Sequence, residues 1–257
     1  MSAARVLILG GTTEAVALAE ALAREFGDRL EAITSLAGKT AAPRAVPGRV
    51  KSGGFGGAEG LAAYLRSERI DALVDATHPF AGMISAHAAE AAASAGVPRL
   101  VLTRAPWAAV AGDDWIEVPD AAGAVEALAA RADLDRVFLT LGSGGIAPFA
   151  ALGARFFAVR VAEHPARPVP LPNYALTVDR GPFSVEKEIA LLEHHHIAAI
   201  VSKNAGGAAT YPKIEAARTL RLPVVMIARP APPEGRTVAS VPDAVAWVAR
   251  TVMRTTA

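Results

Sequence analysis

The segment Arg5-Val-Leu-Ile-Leu-Gly-Gly-Thr-Thr-Glu-Ala15 runs from an apolar strand through two glycines into the start of a helix. The same alternation continues along the chain. Short apolar runs predict strands at Arg5–Leu9, Glu31–Ser35, Ala72–Asp75, Leu100–Thr103, Arg136–Leu141, Phe156–Val159, Ala199–Ser202 and Val224–Ala228. The stretches between them predict helices at Glu14–Arg24, Ala58–Ser67, Met83–Ser94, Val185–Glu193 and Gly207–Leu220. Apolar strands that alternate with helices are typical of parallel sheets covered on both faces, so we predict a doubly wound α/β fold.

The strand and helix pattern occurs twice. Four segments of the first half resemble segments of the second half in the same order: Arg5–Gly11 and Arg136–Gly142, Asp71–Asp75 and Ala198–Ser202, Val97–Arg104 and Leu222–Arg229, Ile116–Ala122 and Ala239–Val245. One such match would mean little, because any two strand-helix units are somewhat alike. Matches in the same order predict two Rossmann-like lobes related by internal duplication, 1–134 and 135–257, rather than one extended sheet.

Composition excludes several classes of function. The 26 Lys and Arg residues balance 25 Asp and Glu residues, so no overall field favours nucleic acid or an anionic membrane. The chain has no cysteine, which excludes disulfides, thiolate metal sites and cysteine nucleophiles. No apolar run approaches the roughly 18 residues of a membrane span, and the start does not resemble a signal peptide. We therefore expect a cytoplasmic protein that binds no nucleic acid, no membrane and no metal.

The turn after the first strand favours a phosphate group. Gly10 and Gly11 allow the backbone to approach a ligand, and Thr12 or Thr13 can cap the helix that begins near Glu14. The amide groups at the start of a helix favour anions. The turn lacks the Gly-x-Gly-x-x-Gly spacing, so an ordinary strand-to-helix turn is the alternative.

The end of the second strand indicates which coenzyme such a site would take. A site specific for NAD usually places an acid there to hold the ribose 2′-hydroxyl. Ser35 and Lys39 stand there instead, and they suit a 2′-phosphate, so NADPH is predicted over NADH. A solvated lysine is the alternative for Lys39. The glycine-rich segment Gly53–Gly57, which includes Gly54, predicts either a close approach to a ligand, a hinge or a plain turn.

Further polar residues follow the later strands. Thr77 and His78 come after the third predicted strand, where His78 could donate a proton or bind a carboxylate, or could simply cap a helix. Lys203 and Asn204 stand at the counterpart edge in the second half, before two glycines, which is an anion-binding arrangement. Other cations lie near strand and helix ends: Arg104, Arg160, Arg180, Lys187 and Lys213. Each alone is typical of a solvated charge, but together they would suit a polycarboxylate.

Six motifs in this order resemble the precorrin-6A reductase family: Leu9–Ala15, Ser35–Thr40, Gly53–Gly57, Asp75–Phe80, Gly181–Phe183 and Ser202–Gly207. The resemblance extends over almost the whole chain. It implies one lobe for NADPH and one for a tetrapyrrole substrate of cobalamin biosynthesis. It also implies hydride transfer to C19 of the C18=C19 bond, with a proton delivered to C18, giving precorrin-6B. Transient contacts with neighbouring enzymes of the pathway are a further implication.

The residues alone leave other functions open. A Rossmann-type reductase or epimerase acting on a smaller substrate would share the first-half motifs. A binding module that senses NADP without turnover would share them too, although it would not need the second basic site. His78, a lysine or water could each supply the proton to C18, and the substrate could be metal-free or carry cobalt.

Overall fold

The computed structural model describes residues 3–36 and 46–252. The strands are β1 Ala4–Leu9, β2 Leu30–Leu36, β3 Arg49–Ser52, β4 Ala72–Asp75, β5 Arg99–Leu102, β6 Trp115–Val118, β7 Arg136–Leu139, β8 Phe156–Val161, β9 Tyr174–Val178, β10 Ala199–Lys203, β11 Val224–Ile227 and β12 Arg236–Val238. The α-helices are α1 Thr13–Phe26, α2 Ala58–Ser67, α3 Gly82–Ala95, α4 Ala121–Ala129, α5 Val185–His194, α6 Pro212–Leu220 and α7 Val241–Val252. None of the helices within this described part is long and apolar enough to cross a membrane.

The strands form two six-stranded sheets with the same topology. The first sheet has the order β3-β2-β1-β4-β5-β12, and the second has the order β9-β8-β7-β10-β11-β6. Every neighbouring pair in both sheets is parallel. This is the strand order 3-2-1-4-5-6 of dinucleotide-binding folds. The predicted α/β fold with two Rossmann-like parallel sheets is therefore confirmed.

The two compact units are not consecutive halves of the chain. Unit 1 comprises Met1–Ala105 and Pro230–Ala257, and unit 2 comprises Pro106–Arg229. This division corrects the predicted boundaries of 1–134 and 135–257. Strand β6 pairs with β11 and strand β12 pairs with β5, so each half of the sequence gives its last strand to the sheet of the other half. Strands β5 and β11 have the same position in their sheets, so β12 and β6 occupy equivalent edges.

Helices cover both faces of the sheet in unit 1. Successive side chains of a strand point to opposite faces, so Val6 and Ile8 lie beneath α1 and α7, while Leu7 and Leu9 lie beneath α2 and α3. All four side chains are almost completely buried. Burial of strands on both sides explains their near-continuous apolar sequences and leaves the loops at the strand ends to form sites.

Unit 2 has the corresponding layer beneath α5 and α6. Phe138, Ile200 and Met226 of three adjacent strands pack there against Leu192 of α5 and Ile214 of α6. The loops that follow β7, β8 and β10 lie at one edge of this sheet. The predicted substrate-binding residues Arg160, Lys203 and Asn204 lie at these strand ends.

Candidate functional site

A cavity of about 200 Å³ lies at the carboxyl ends of β1 and β2 in unit 1, on the face covered by α2 and α3. Its walls are mostly apolar or glycine, with three polar side chains among them. The lining residues are Leu9, Gly10, Ser35, Gly53, Gly54, Phe55, Gly56, Gly57, Leu61, Thr77, Ile84 and His87. Ligands of open α/β sheets bind at this edge, outside the carboxyl ends of the strands.

The turn between β1 and α1 lies flush against β2. The Gly10 amide donates to the Ser35 carbonyl at 2.9 Å. A Cβ atom on Gly10 would lie 3.0 Å from Cγ2 of Thr34 and 3.2 Å from the Ser35 carbonyl oxygen, so a larger residue would push the turn outward. Glycine at this position therefore keeps the backbone close to the sheet edge and leaves the adjoining cavity open.

Thr12 fixes the start of α1. Its Oγ1 accepts a hydrogen bond from the Ala15 amide at 3.1 Å and donates to the Ala76 carbonyl at 2.7 Å. The first contact caps the helix, as predicted, and the second ties the turn to the loop after β4. Gly11 and Thr13 lie exposed on either side of this cap. The helix start, with its outward amides, is thus held at the same sheet edge as the cavity.

Two hydroxyl groups face the cavity. Ser35, at the end of β2, is only 6% exposed. The Thr77 hydroxyl donates to Oδ1 of Asp75 at 2.7 Å and lies 3.3 Å from Oγ of Ser85. Oδ2 of Asp75 is buried without a hydrogen-bond partner among the described residues. The Asp75 carboxylate therefore orients Thr77, a positioning role that the sequence analysis did not predict.

The glycine segment after β3 forms one wall of the cavity. Phe55 stands there with its ring packed edge-on against Tyr64 at a centroid distance of 5.1 Å. The backbone of α2 passes directly beneath, because a Cβ atom on Gly60 would come within 1.8 Å of the Phe55 carbonyl oxygen. All five residues of the segment line the cavity, and their close approach to a ligand stays a prediction.

His78 lies exposed in the loop after β4. Its Nδ1 accepts a hydrogen bond from the Phe80 amide at 3.2 Å. A neutral ring that accepts at Nδ1 carries its proton on Nε2. The loop therefore selects the tautomer and directs an N–H group away from the backbone.

Arg104 and Glu14 come together in unit 1. Nη1 of Arg104 donates to Oε2 of Glu14 at 2.8 Å, and both side chains are about four-fifths buried. In the sequence, Arg104 is one of the predicted substrate-binding cations and Glu14 belongs to the predicted coenzyme turn. The pair instead places a cation beside the first turn of α1, at the edge that carries the cavity.

Lys203 and Asn204 end β10 in unit 2. Nζ of Lys203 donates to the Leu141 carbonyl at 2.9 Å, and burial lowers the pKa of its ammonium group. The Asn204 carboxamide accepts from the Trp107 amide at 2.8 Å and donates to the Trp107 carbonyl at 3.0 Å. Asn204 therefore fastens the segment that enters unit 2 and is engaged at both ends of its side chain.

Two of the predicted substrate-binding cations are buried. Arg160, 8% exposed, donates to Glu188, and its Cζ lies 3.7 Å from the centroid of the Phe183 ring. Lys213, 4% exposed, donates to the Thr210 carbonyl at 3.0 Å. Both side chains are held by contacts inside unit 2, and their assignment to the substrate stays a prediction. Lys187 is exposed on α5, and Lys39 lies outside the described residues.

The family model described as Precorrin-6x reductase CbiJ/CobK matches residues 5–249. The chain belongs to this family. It is 48% identical over 246 residues to the precorrin-6A reductase of Rhodococcus erythropolis, covering 95% of this chain and 97% of that relative. It is 44% identical over 245 residues to the precorrin-6A reductase of Rhodobacter capsulatus, covering 95% and 96%. A solved structure, CobK precorrin-6A reductase, matches with a TM-score of 0.88 at 43% identity, covering 96% of this chain and 97% of that chain.

Membership of the precorrin-6x reductase family confirms the resemblance drawn from the six motifs. Within unit 1 the structure brings Gly10, Ser35, Gly54 and Thr77 to one cavity, as parallel strand ends require. His87 also lines the cavity, although the sequence motifs did not point to it. A turn count along α3 could have found it, because His87 lies one turn after Ile84 on the same helix face.

Proposed function

We propose that this chain uses NADPH to reduce the C18=C19 bond of precorrin-6A, giving precorrin-6B in cobalamin biosynthesis. Family membership supports the reaction, since the relatives described above are precorrin-6A reductases. The observation that carries the coenzyme assignment is the unit 1 cavity. None of its described lining residues is acidic, and Ser35 stands where an NAD site would offer a carboxylate.

The residues of unit 1 fit a dinucleotide phosphate. The flush turn at Gly10 and Gly11 and the amides at the start of α1 suit the pyrophosphate. Phe55, Leu61 and Ile84 provide apolar walls of the kind that hold a flat base. We assign Thr12, Thr13 and Glu14 to the phosphate end, Glu14 through its pair with Arg104, and Ser35, Gly54 and Thr77 to the ribose and base.

Bound NADPH supplies the hydride that the reduction needs. The carbon at the other end of the reduced bond then requires a proton, and His78 is the residue we assign to donate it. Its backbone contact places the proton of a neutral ring on Nε2, and the residue as a whole is exposed. A positioned general acid contributes roughly 10²–10⁴-fold to the rate. His78→Gln should therefore lower kcat by about that factor while the NADPH dissociation constant stays unchanged.

The tetrapyrrole carboxylates require cations, and Lys203 and Lys187 are our candidates in unit 2. The Lys203 ammonium is held by the Leu141 carbonyl at the carboxyl end of a central strand. A partly buried cation binds a carboxylate more strongly than a fully solvated one, because less water screens the pair.

The reaction is tested by mixing the chain with NADPH and either precorrin-6A or its cobalt form, without oxygen. The expected result is NADPH oxidation with a product that has gained two hydrogen atoms. NADPH deuterated at the transferred position should leave its label at C19. Absence of turnover with both tetrapyrroles, or label at another carbon, would contradict the proposal.

Lys39 tests the choice of coenzyme. A charge-assisted hydrogen bond is worth about 1.5–3 kcal/mol, so Lys39→Ala should raise the Michaelis constant for NADPH roughly tenfold to a hundredfold. The kinetics with NADH should barely change, and NADH is the matched control. Equal weakening of both coenzymes would mean that Lys39 does not bind the 2′-phosphate.

A further inference from the structure

Lys51, the third residue of β3, contacts residues that line the cavity and has no role in the assignments above. It stands in register with Ser35 of β2, and residues in register on adjacent strands point to the same face of the sheet. Its side chain turns back over the segment that follows the strand. Nζ lies 2.8 Å from the Gly53 carbonyl oxygen, 3.1 Å from that of Gly54 and 3.3 Å from that of Ser52.

These contacts use the whole donor capacity of the ammonium group. A lysine ammonium has three N–H donors and no acceptor, and three carbonyl oxygens surround this one. Three consecutive carbonyl groups that converge on one point would repel each other without a cation between them. Lys51 supplies that cation from within the chain, and no donor is left over for a ligand in this arrangement.

The same ammonium holds Phe55. Nζ lies 4.3 Å from the centroid of the Phe55 ring, within the range of a cation–π contact. Tyr64 packs against that ring from another side, and the backbone at Gly60 supports the Phe55 carbonyl from below. Phe55 is therefore fixed on three sides, and Lys51 is the support that also fixes the preceding glycines.

The segment from Gly53 to Gly57 needs such a support. Four of its five residues are glycine, the residue that loses the most conformational freedom when it is ordered. Gly53, Gly54, Phe55, Gly56 and Gly57 all line the cavity. An unsupported segment would have to be ordered each time a ligand binds, and that cost would weaken binding.

We propose that Lys51 is a positioning residue that holds the glycine segment and Phe55 as a preformed wall of the coenzyme cavity. The inference rests on the proposed function, in which this cavity binds NADPH. Because the ammonium acts through backbone carbonyls and the ring, it supports the part of the dinucleotide that NADPH and NADH share. This distinguishes Lys51 from Lys39, which is proposed to bind the 2′-phosphate alone.

The test is direct titration of NADPH and NADH into the full chain without tetrapyrrole, together with hydrogen exchange of the unliganded chain. Lys51→Met should raise both dissociation constants by the same factor, about tenfold. Amide exchange of residues 53–57 should become faster. At saturating NADPH, kcat should stay within about twofold, whereas Lys51→Arg should restore most of the affinity.

Arg49→Met is the matched control. Arg49 precedes Lys51 by two residues on the same strand, but its guanidinium pairs with Glu68 at 2.9 Å and reaches Tyr64 only at the hydroxyl, 3.5 Å away, rather than binding the carbonyls that Lys51 holds. It should leave both dissociation constants within about twofold. Weakening of NADPH alone by Lys51→Met would overturn the proposal in favour of direct 2′-phosphate binding. Unchanged affinity and unchanged exchange would also overturn it, whereas failure of the unaltered chain to bind either coenzyme would instead overturn the proposed function.

Discussion

Unit 1 and unit 2 share one strand order, but they differ at one corner, which we define as the space between the end of β2 and the start of α2 in unit 1 and between the end of β8 and the start of α5 in unit 2. In unit 1, Ser35 and Leu61 line the cavity. Arg5 and Arg136 correspond in the two units, and they pair with Glu31 and Phe156 of the neighbouring strands. Ser35 and Arg160 each lie four residues after these partners, so they occupy equivalent positions. Leu61 is the fourth residue of α2 and Glu188 the fourth of α5. The same corner therefore holds a cavity in one unit and a buried ion pair in the other.

This difference shows that a repeated fold does not repeat a binding site. The backbone supplies the same sheet edge twice, and the side chains decide whether it is open. Arg160 fills its corner by stacking on Phe183, with its Cζ also 5.0 Å from the Phe138 ring centroid. Side chains such as these, rather than the strand order, decide whether a sheet edge can hold a ligand.

The largest effect is expected from Glu188→Leu, which gives unit 2 the residue of unit 1. It leaves Arg160 buried without its counter-charge, and breaking a buried pair costs about 3–5 kcal/mol of unfolding free energy. Urea denaturation followed by circular dichroism measures the loss. Combining it with Arg160→Met should recover most of the stability. The exposed neighbour is the control: if Lys187→Met costs as much as Glu188→Leu, the pair is not the cause.

The reverse exchange should close the cavity of unit 1. Ser35→Arg together with Leu61→Glu introduces the pair of unit 2 and should weaken NADPH binding at least a hundredfold, which corresponds to about 2.8 kcal/mol. Calorimetric titration measures the affinity. Ser35→Ala, which keeps the space open, should cost less than tenfold. Retained NADPH affinity in the double variant would show that the coenzyme binds elsewhere.

A smaller effect is expected at the ends of β4 and β10, where Ala76 of unit 1 corresponds to Lys203 of unit 2. Lys203→Ala should weaken precorrin-6A binding about tenfold to a hundredfold, from a loss of about 1.5–3 kcal/mol. NADPH affinity should stay within about twofold. Loss of NADPH affinity with intact tetrapyrrole binding would reverse the assignment of the two units.

The pH dependence sharpens the test of Lys203. Because burial lowers the pKa of Lys203, its ammonium loses the proton at a lower pH than an ordinary lysine does. The Michaelis constant for the tetrapyrrole should therefore rise earlier in the alkaline range, whereas Lys203→Arg should keep it flat. Between the native and the unfolded pKa the unfolded chain binds more protons, so unfolding free energy should rise with pH there. Lys203→Met should lack that rise.

The smallest effect is expected at Asn204, which corresponds to Thr77. Thr77 faces the cavity, but Asn204 binds the backbone of Trp107. Asn204→Ala removes two hydrogen bonds, so thermal unfolding should show a loss of about 1–2 kcal/mol. Asn204→Asp keeps the acceptor but sets a carboxylate oxygen against the Trp107 carbonyl, so it should not recover the loss. A tenfold loss of precorrin-6A affinity at unchanged stability would instead support the original assignment of Asn204 to the substrate.

The sequence predicted the interior of both sheets but not their edges. The eight predicted strands correspond to β1, β2, β4, β5, β7, β8, β10 and β11. The four others, β3, β6, β9 and β12, are the edge strands, and most of their residues are partly or fully exposed. A strand that pairs on one side only needs no continuous apolar run. For the same reason, the sequence did not predict that β6 and β12 are exchanged between the two sheets.

The candidate site divides in the same way: the positions of residues at strand ends could be predicted, but the ion-pair partners of the cations could not. The turn at Gly10 and the end of β2 at Ser35 were predictable because parallel strands end at one edge of the sheet. The partners of the cations were not, since Arg104 pairs with Glu14 across 90 residues of sequence and Arg160 with Glu188 across 28. A sequence shows that a cation stands near a strand end, but tertiary packing decides whether a carboxylate neutralises it.

The exchanged strands also fix the order in which a ribosome can complete the two units. Unit 2 is a single continuous stretch, whereas unit 1 is finished only by residues after Arg229. A nascent chain that has emerged as far as Arg229 holds every strand of the second sheet but lacks β12 and α7. Before α7 is translated, Trp247 and Val248 are not available to complete the apolar layer that includes Val6 and Ile8. The amino-terminal unit therefore closes only after unit 2 has all of its strands, because it depends on residues that follow Arg229.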